Sequence, residues 1–467
     1  MTPPDSRDAD TLRTLQRDTW GYVVSLGPLG LGGLALLPLM TQLLSPAQLG
    51  WMAVAEALLL PAGTLGMMGL KFAYLYRFAR TTAAEQHTLL ATCMALGGAT
   101  SLACGLLVAL LLTHPLLLAW MGWPGPAPMQ HAWLLVLLVP VGTLQALLMT
   151  ELRAQRRVRD TAIVSYAQLG VTLAASAWLT LVWPWGIDGF MAGQLLGQLF
   201  ALAHTGWLLR GSLSQQGLSD LPERVAARVQ ADWAQAPALL RYGWPLTAGL
   251  LVRYGMDSLS RVMLAGLASL QAAADWLVVS RVLSVFDVLV ANPFYMAWGG
   301  LVHHALRRPG AERVTSQVSR WALLASSLAA MLAAAAFVPL SQLMTGHARA
   351  DLAWLFVLLL WGKWLALVKS PLCCGVQQTG HTGWALRNNA LALVVFAPAA
   401  WGLVQLPPPW GQAHGMAAAM LLATLAPAVL LYRQSQGIVH QRVGPAPWVA
   451  AAAALVATAC GASLVMP

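Results

Sequence analysis

Long apolar segments alternate with short polar ones along almost the whole chain. Each apolar segment has about 20 residues or more, the length that an α-helix needs to cross the hydrocarbon core of a bilayer. The pattern therefore predicts an all-α integral membrane protein. The predicted spans are 20–44, 48–70, 88–113, 131–152, 161–183, 188–209, 242–266, 273–302, 321–343, 352–376, 384–405, 412–432 and 447–466.

Composition agrees with the membrane class. Of the 467 residues, 58% are hydrophobic and 9% are charged, whereas a soluble protein carries about 25% charged residues. The tail 1–19 is polar and the first apolar segment has full span length, so we expect no cleavable signal peptide. The five cysteines lie in apolar segments without metal-ligand spacing, so neither a disulfide framework nor a metal site is predicted.

Basic residues predict the orientation of the spans. If the tail 1–19 is cytoplasmic, most of the 27 Lys and Arg residues fall in cytoplasmic segments, and Arg349 is the one basic residue in the outer loops. This asymmetry follows the positive-inside rule and predicts a cytoplasmic N-terminus. The net charge of +10 is thereby explained by topology, and no nucleic-acid partner is expected.

The polar segment 210–240 is the longest interruption, and it divides the spans into two halves. LLSPAQLGW (Leu43–Trp51) in the first half resembles LASLQAAADW (Leu267–Trp276) in the second, because an aromatic residue opens a span after a short outer turn in both. Each half has an even number of spans, so both have one orientation, as in a parallel repeat. The predicted fold is two six-helix bundles around a central cavity plus one extra C-terminal helix. The predicted domains are the cytoplasmic tail 1–19, the bundles 20–209 and 241–432, the cytoplasmic linker 210–240, and a final segment 433–467 with a cytoplasmic loop and the extra helix.

Basic residues also occur inside the predicted spans. Arg253, Asp257 and Arg261 are spaced four residues apart, so they form a ladder along one helix face. A charge near the bilayer centre costs at least about 2.5 kcal/mol, so such residues normally face a water-filled cavity or a charged partner. We predict that Arg253, Arg261, Arg281 and Lys363 bind an anionic substrate. The alternative is that Arg253, Asp257 and Arg261 form a self-neutralised structural ladder.

Three acidic residues of the spans, Glu56, Asp257 and Asp287, are candidates for ion coupling or gating. A carboxylate in the membrane relays protons, binds Na⁺ or pairs with an Arg across the cavity, and the sequence leaves these roles open. Asp287 lies six residues after Arg281, on a somewhat different face of the same helix. No GxxxxGK[ST] phosphate loop occurs in the chain. We therefore expect no cofactor, and a gradient of Na⁺ or H⁺ remains as a driving force.

At the residue level, the segment Leu37–Arg80 resembles the opening of polysaccharide flippases of the multidrug/oligosaccharidyl-lipid/polysaccharide exporter superfamily. TQLLSPAQLG (Thr41–Gly50) is similar to the end of that family's first helix and the turn after it. LRYGWPL (Leu240–Leu246) is similar to the start of its seventh helix, and the segment around Arg261 is similar to its D-R-L-L-L-G stretch. The resemblance implies two bundles that alternate between inward-open and outward-open states.

The same resemblance implies a function. It is the translocation of an undecaprenyl-pyrophosphate-linked oligosaccharide repeat unit from the cytoplasmic to the periplasmic leaflet of a bacterial inner membrane, for O-antigen, capsule or exopolysaccharide. The implied partners are the lipid-linked oligosaccharide, membrane lipids, a polymerase and a chain-length regulator. The predicted cations suit this substrate, because the planar guanidinium of Arg makes paired charge-assisted bonds to phosphate.

Two other functions are weighed against a flippase. A membrane glycan polymerase or ligase acts on the same lipid-linked sugars and tends to carry Arg and His in a sizeable outer loop. The longest predicted outer loop here, His114–Gln130, has no Lys, Arg, Asp or Glu, which disfavours an enzyme. A drug or cation antiporter of the same superfamily would require an acidic cavity, whereas the candidate substrate-binding residues predicted here, Arg253, Arg261, Arg281 and Lys363, are all basic.

Overall fold

The structure is a computed structural model. It describes residues 34–78, 81–123, 129–155, 157–183, 185–215, 231–295, 297–298, 302, 311–378, 383–407 and 411–465. The predicted tail 1–19, the first part of the predicted span 20–44 and half of the predicted linker 210–240 lie outside these residues.

Helices make up nearly all of the described chain, and no strand occurs within it. The helices are α1 (Leu34–Leu43), α2 (Pro46–Met67), α3 (Leu70–Phe78), α4 (Ala83–Thr113), α5 (Pro115–Trp120), α6 (Trp133–Ala154), α7 (Val158–Leu181), α8 (Ile187–Gln215), α9 (Ala236–Leu267), α10 (Leu270–Phe286), α11 (Ala311–Thr345), α12 (Ala353–Leu372), α13 (Gly375–Gln378), α14 (Gly383–Val404), α15 (Gln412–Ile438) and α16 (Pro445–Val465). Within the described residues, nine helical segments are long and apolar enough to cross a membrane. The prediction of an all-α integral membrane protein is confirmed.

The extra C-terminal helix is a full-length element. The sequence predicts a span over 447–466, and α16 covers Pro445–Val465 as one of the apolar helices of membrane-spanning length. It packs against α11 and α12. The indole N–H of Trp361 on α12 also donates a hydrogen bond to Thr458 on α16, at 2.9 Å.

The loop before α16 is bonded to the N-terminal part of α11. Arg320 donates to the backbone carbonyls of Arg442 and Val443, at 2.6 and 2.8 Å. Ser319 donates to the buried side chain of Gln441, at 3.1 Å. These three bonds connect the loop to α11 on both its backbone and its side chains, and they fix the entry of α16 into the fold.

The described residues form two compact units. The first is Leu43–Leu270, and the second consists of Met1–Gln42 with Gln271–Pro467, as far as these ranges are described. These boundaries differ from those of the predicted bundles 20–209 and 241–432, since α9 lies with the N-terminal helices and α1 with the C-terminal ones. The predicted domains stay a prediction about the repeat.

Close approach of backbones explains why α9 belongs to the first unit. A Cβ atom at Gly50 on α2 would overlap the carbonyl group of Leu270, just beyond α9. A Cβ atom at Gly243 on α9 would overlap Met68, which follows α2. Gly69 beside it has φ of +70°, a left-handed conformation that glycine adopts without strain. Glycine therefore lets α9 lie against α2 near both ends of the pair.

We predict that Gly243→Ala destabilises the protein by about 1–3 kcal/mol, because the added methyl group overpacks a backbone contact. Gly255→Ala is the matched control on the same helix, since a Cβ atom there meets open space. The control should leave stability unchanged or raise it by up to about 1 kcal/mol through helix propensity. Thermal unfolding of the purified chain in detergent measures both, and equal effects of the two variants would contradict the contact.

Candidate functional site

Three charged side chains meet between α2 and α9, and we call them the α2–α9 cluster: Glu56, Asp257 and Arg261. Arg261 bonds Asp257 one turn earlier on α9, with Nη2 to Oδ2 at 2.9 Å. Its Nη1 lies 3.8 Å from Oε2 of Glu56 on α2. The side chains are 14% exposed for Arg261, 20% for Glu56 and 31% for Asp257. Two carboxylates thus compensate one mostly buried guanidinium.

The sequence positions these groups through two simple periodicities. Asp257 and Arg261 are four residues apart, so they stack on one face of α9. Glu56 reaches the same face because α2 packs against α9, with the close backbone contact between Gly243 and Met68 at one end of the pair. The cluster is therefore built by backbone packing as much as by charge.

The α2–α9 cluster changes the predicted charge of the ladder. The sequence predicts that Arg253, Asp257 and Arg261 form a net positive stripe, but the carboxylate of Glu56 adds to them in the structure. The three described members carry one positive and two negative charges. The side chain of Arg253 lies outside the part of the structure that is described. Whether these residues bind substrate stays a prediction.

A second ion pair lies within the second unit. Nζ of Lys363 on α12 is 2.7 Å from Oδ2 of Asp287, with side chains 44% and 25% exposed. Asp287 opens a π-helical turn, Asp287–Ala291, which continues α10 and is closed by the N–H of Asn292 on the carbonyl of Asp287. Pro293 follows at once and has no N–H for the regular helical bond, which gives a reason for the wider turn. Such turns are frequent at functional sites.

Arg281 and Glu56 occupy equivalent positions of the predicted repeat. Each stands five residues after the tryptophan that aligns the two halves, Trp276 and Trp51. Both tryptophans are buried, at 1% and 0% exposure. Arg281 itself is half-buried on α10. In the predicted repeat, the two halves thus carry opposite charges at equivalent sequence positions.

A third cluster lies at the loop between α11 and α12. Arg349 bonds Asp275 at the start of α10 at 2.8 Å and Asp351 at 2.9 Å. Burial lowers the pKa of Arg349, but the hydrogen bonds and charges of Asp351 and Asp275 outweigh it, so the pKa is raised above its ordinary value. This guanidinium joins α10 to the loop between α11 and α12 and stays charged.

Two buried acids were missed by sequence reasoning. Glu151 on α6 is 4% exposed and accepts hydrogen bonds from Tyr74 and Gln155. Asp188 at the start of α8 is also 4% exposed and lies 3.0 Å from Nδ1 of His131. The signal for Glu151 was present, since this acid lies inside the predicted span 131–152.

The described residues contain no group of three or more His, Cys, Asp or Glu arranged to hold a metal ion. The five cysteines are free thiols.

Solved transporters share this fold over nearly the whole chain. An inward-facing multidrug resistance MATE family transporter of the MOP superfamily superposes with a TM-score of 0.60 at 14% identity, covering 89% of this chain and 94% of that one. The Vibrio cholerae MATE transporter VcmN gives 0.60 at 16% identity, covering 93% and 98%. The lipid II flippase MurJ, in an inward closed conformation, gives 0.63 at 10% identity, covering 96% and 98%.

These likenesses establish the fold. The chain has the fold of these solved transporters. No family model matches the sequence, and no curated protein matches it.

We predict that Arg261→Gln lowers the free energy of unfolding by about 2 kcal/mol or more, because it leaves two carboxylates adjacent without their cation. Arg157→Gln is the control, because the guanidinium of Arg157, paired with Asp160, is 27% exposed against 14% for Arg261. That change should cost about 1 kcal/mol or less.

Adding Glu56→Gln to Arg261→Gln should recover part of the loss, since one of the two stranded carboxylates is then neutral. Thermal unfolding of the single and double variants measures this coupling. A loss for Arg261→Gln no larger than that for Arg157→Gln would refute the cluster as a stabilising unit.

Proposed function

We propose that this chain is a flippase for an undecaprenyl-pyrophosphate-linked oligosaccharide repeat unit. It moves the unit from the cytoplasmic to the periplasmic leaflet of a bacterial inner membrane by alternating access, for surface polysaccharide biosynthesis. A polymerase and a chain-length regulator are the partners that would use the product. The N-terminus is proposed to be cytoplasmic.

The observation that carries the proposal is the placement of Arg281 and Lys363 within the apolar helical segments Leu270–Tyr295 and Ala350–Leu372. A cation at such a place is expensive in hydrocarbon, and this cost favours a functional role for it. The pyrophosphate of a lipid-linked sugar brings the anionic charge that such cations bind. Arg253 and Arg261 on α9 are proposed to bind the same group or acidic sugars.

The solved relatives support a lipid-linked substrate without defining it. The superposition with the lipid II flippase MurJ covers nearly all of both chains. The name of that protein gives lipid II as its substrate. A fold that accommodates such a molecule in one protein gives this chain a suitable framework. The sugar must then be identified by experiment.

A drug or cation antiporter is the second candidate, and the α2–α9 cluster favours it. Two carboxylates next to one guanidinium leave net negative charge, which attracts a cation rather than pyrophosphate. Two of the structures reported above are MATE transporters. Neutralising Glu56 and Asp257 would weaken an antiporter of this kind more strongly than neutralising Arg281 or Lys363.

We predict that a strain without this chain loses a surface polysaccharide and accumulates its undecaprenyl-linked repeat unit on the cytoplasmic side. Lipid extraction with analysis of the attached sugar measures the accumulation and identifies the sugar. An intact polysaccharide with altered drug or cation sensitivity would favour the antiporter. Repeat units accumulating on the periplasmic side would indicate a step after flipping and favour the polymerase.

We predict that Arg281→Gln and Lys363→Gln each reduce flipping by about 10- to 100-fold, the effect of losing a charge-assisted hydrogen bond to phosphate. Lys369→Gln is the matched control, because it removes the same charge from the last turn of α12. It should leave flipping close to that of the unchanged chain.

The double variant Lys363→Gln/Asp287→Asn separates binding from structure. It removes both members of the ion pair, so no charge is stranded, and flipping should remain low if Lys363 binds substrate. Full recovery of flipping in the double variant would show that Lys363 serves only as the partner of Asp287.

A further inference from the structure

Glu151 is an acid that the proposed transport cycle does not yet use. It lies on α6, which has membrane-spanning length and apolarity, and its residue is 4% exposed. An ionised carboxylate in such surroundings is expensive unless an opposite charge lies beside it. In the described chain, none of the ion pairs within 4 Å includes Glu151.

Two neutral groups hold the carboxyl of Glu151. The hydroxyl of Tyr74 on α3 donates to Oε2, and Nε2 of Gln155, the residue that caps the C-terminal end of α6, donates to Oε1 at 2.6 Å. Tyr74 is fully buried. It also packs in an apolar cluster with Leu70, Cys93 and Leu147. The carboxyl is thereby closed off from water by α3.

The ionisable groups around Glu151 do not supply an opposite charge at contact distance. Those on the neighbouring helices near this level are Lys71 and Arg77 on α3, His87 and Cys93 on α4, Asp160 on α7, His204 on α8, and Arg153 on α6 itself. Lys71 and Arg153 act electrostatically on one another. Arg77 donates to Gln235 at 3.1 Å.

Three other acids of the apolar helices are paired with basic residues. Glu56 and Asp257 form ion pairs with Arg261, and Asp287 forms an ion pair with Lys363. A proton on any of these three would remove the compensating charge from a cation inside a helical bundle. A proton on Glu151 removes no ion pair from the described structure. Among these four acids, Glu151 is therefore the one that can exchange a proton at the lowest electrostatic cost.

We propose that Glu151 is a proton-binding site of this chain and that Tyr74 is the group that closes it. This inference rests on the proposed transport function, because it names H⁺ as the coupling ion. When Tyr74 and α3 cover the carboxyl, Glu151 holds the proton. When α3 separates from α6 and water enters, the O–H bond breaks, the carboxylate forms, and the proton passes to water.

The backbone before Tyr74 offers a place for that movement. Met68 and Gly69 form the turn between α2 and α3. Both residues are in the left-handed region, with φ of +46° and +70°. A turn of this kind separates α3 from α2 as an element of its own, and hinges are commonly a few residues at the ends of elements. Tyr74 lies five residues beyond this turn.

We predict that infrared difference spectra of the full-length chain in lipid show a protonated-carboxyl band that responds to pH and disappears in Glu151→Gln. Tyr74→Phe should shift this band, because the carboxyl loses the hydroxyl bonded to it. Glu85→Gln is the matched control, since Glu85 is exposed at the start of α4, and it should leave the band unchanged. Replacing Na⁺ by K⁺ at constant pH should also leave it unchanged.

Stability and transport give independent readouts. Glu151→Gln should unfold near the temperature of the unchanged chain, since a neutral amide replaces a protonated carboxyl. Flipping driven by a pH gradient should fall in this variant to the level without a gradient. A band that persists in Glu151→Gln, or that responds to Na⁺ rather than pH, would overturn the proton site.

The two proposals can fail separately. The infrared band requires no substrate, so it tests Glu151 even if the strain analysis excludes a polysaccharide. If the repeat unit accumulates in the deletion strain while Glu151→Gln keeps both the band and gradient-driven flipping, the flippase stands and the proton site is refuted.

Discussion

A guanidinium inside a hydrocarbon layer persists only where an anion or water compensates it, and this constraint governs the first unit. Arg261 satisfies it with two carboxylates, one from its own helix and one from α2. Glu56 can take part only because α2 and α9 approach closely enough for their backbones to touch. The charge cluster and the helix packing therefore depend on each other.

The second unit meets the same constraint by other means. Lys363 is paired with Asp287 at a π-helical turn, and Arg349 is held by Asp275 and Asp351 at the loop between α11 and α12. The acids of both units are thus divided between two tasks. Most neutralise a basic residue, whereas Glu151 is held by a phenol and an amide. This division separates the proposed binding of substrate from the proposed exchange of a proton.

The helices could be predicted because a bilayer requires about 20 apolar residues for each crossing, a signal that is local in sequence. The ladder of Asp257 and Arg261 was visible for the same reason, since four residues make one turn. The partnership of Glu56 with Arg261 was not, because it joins distant parts of the chain through glycine contacts. The π turn at Asp287 also escaped prediction, as hydropathy does not register one inserted residue. Glu151 lies inside a predicted span and could have been singled out from the sequence, but its bond to Tyr74 joins two helices and could not be predicted.

The glycine contacts also bear on how this sequence can diverge. A Cβ atom at Gly50 on α2 or at Gly243 on α9 would overlap backbone atoms, which cannot repack as a side chain can. At Gly249 and Gly255 on α9, a Cβ atom would meet open space. Purifying selection should therefore retain the first two while the other two drift to alanine or larger residues. Among distant descendants of this gene, these two positions would mark the shared α2–α9 contact after most of the surrounding apolar residues had been exchanged.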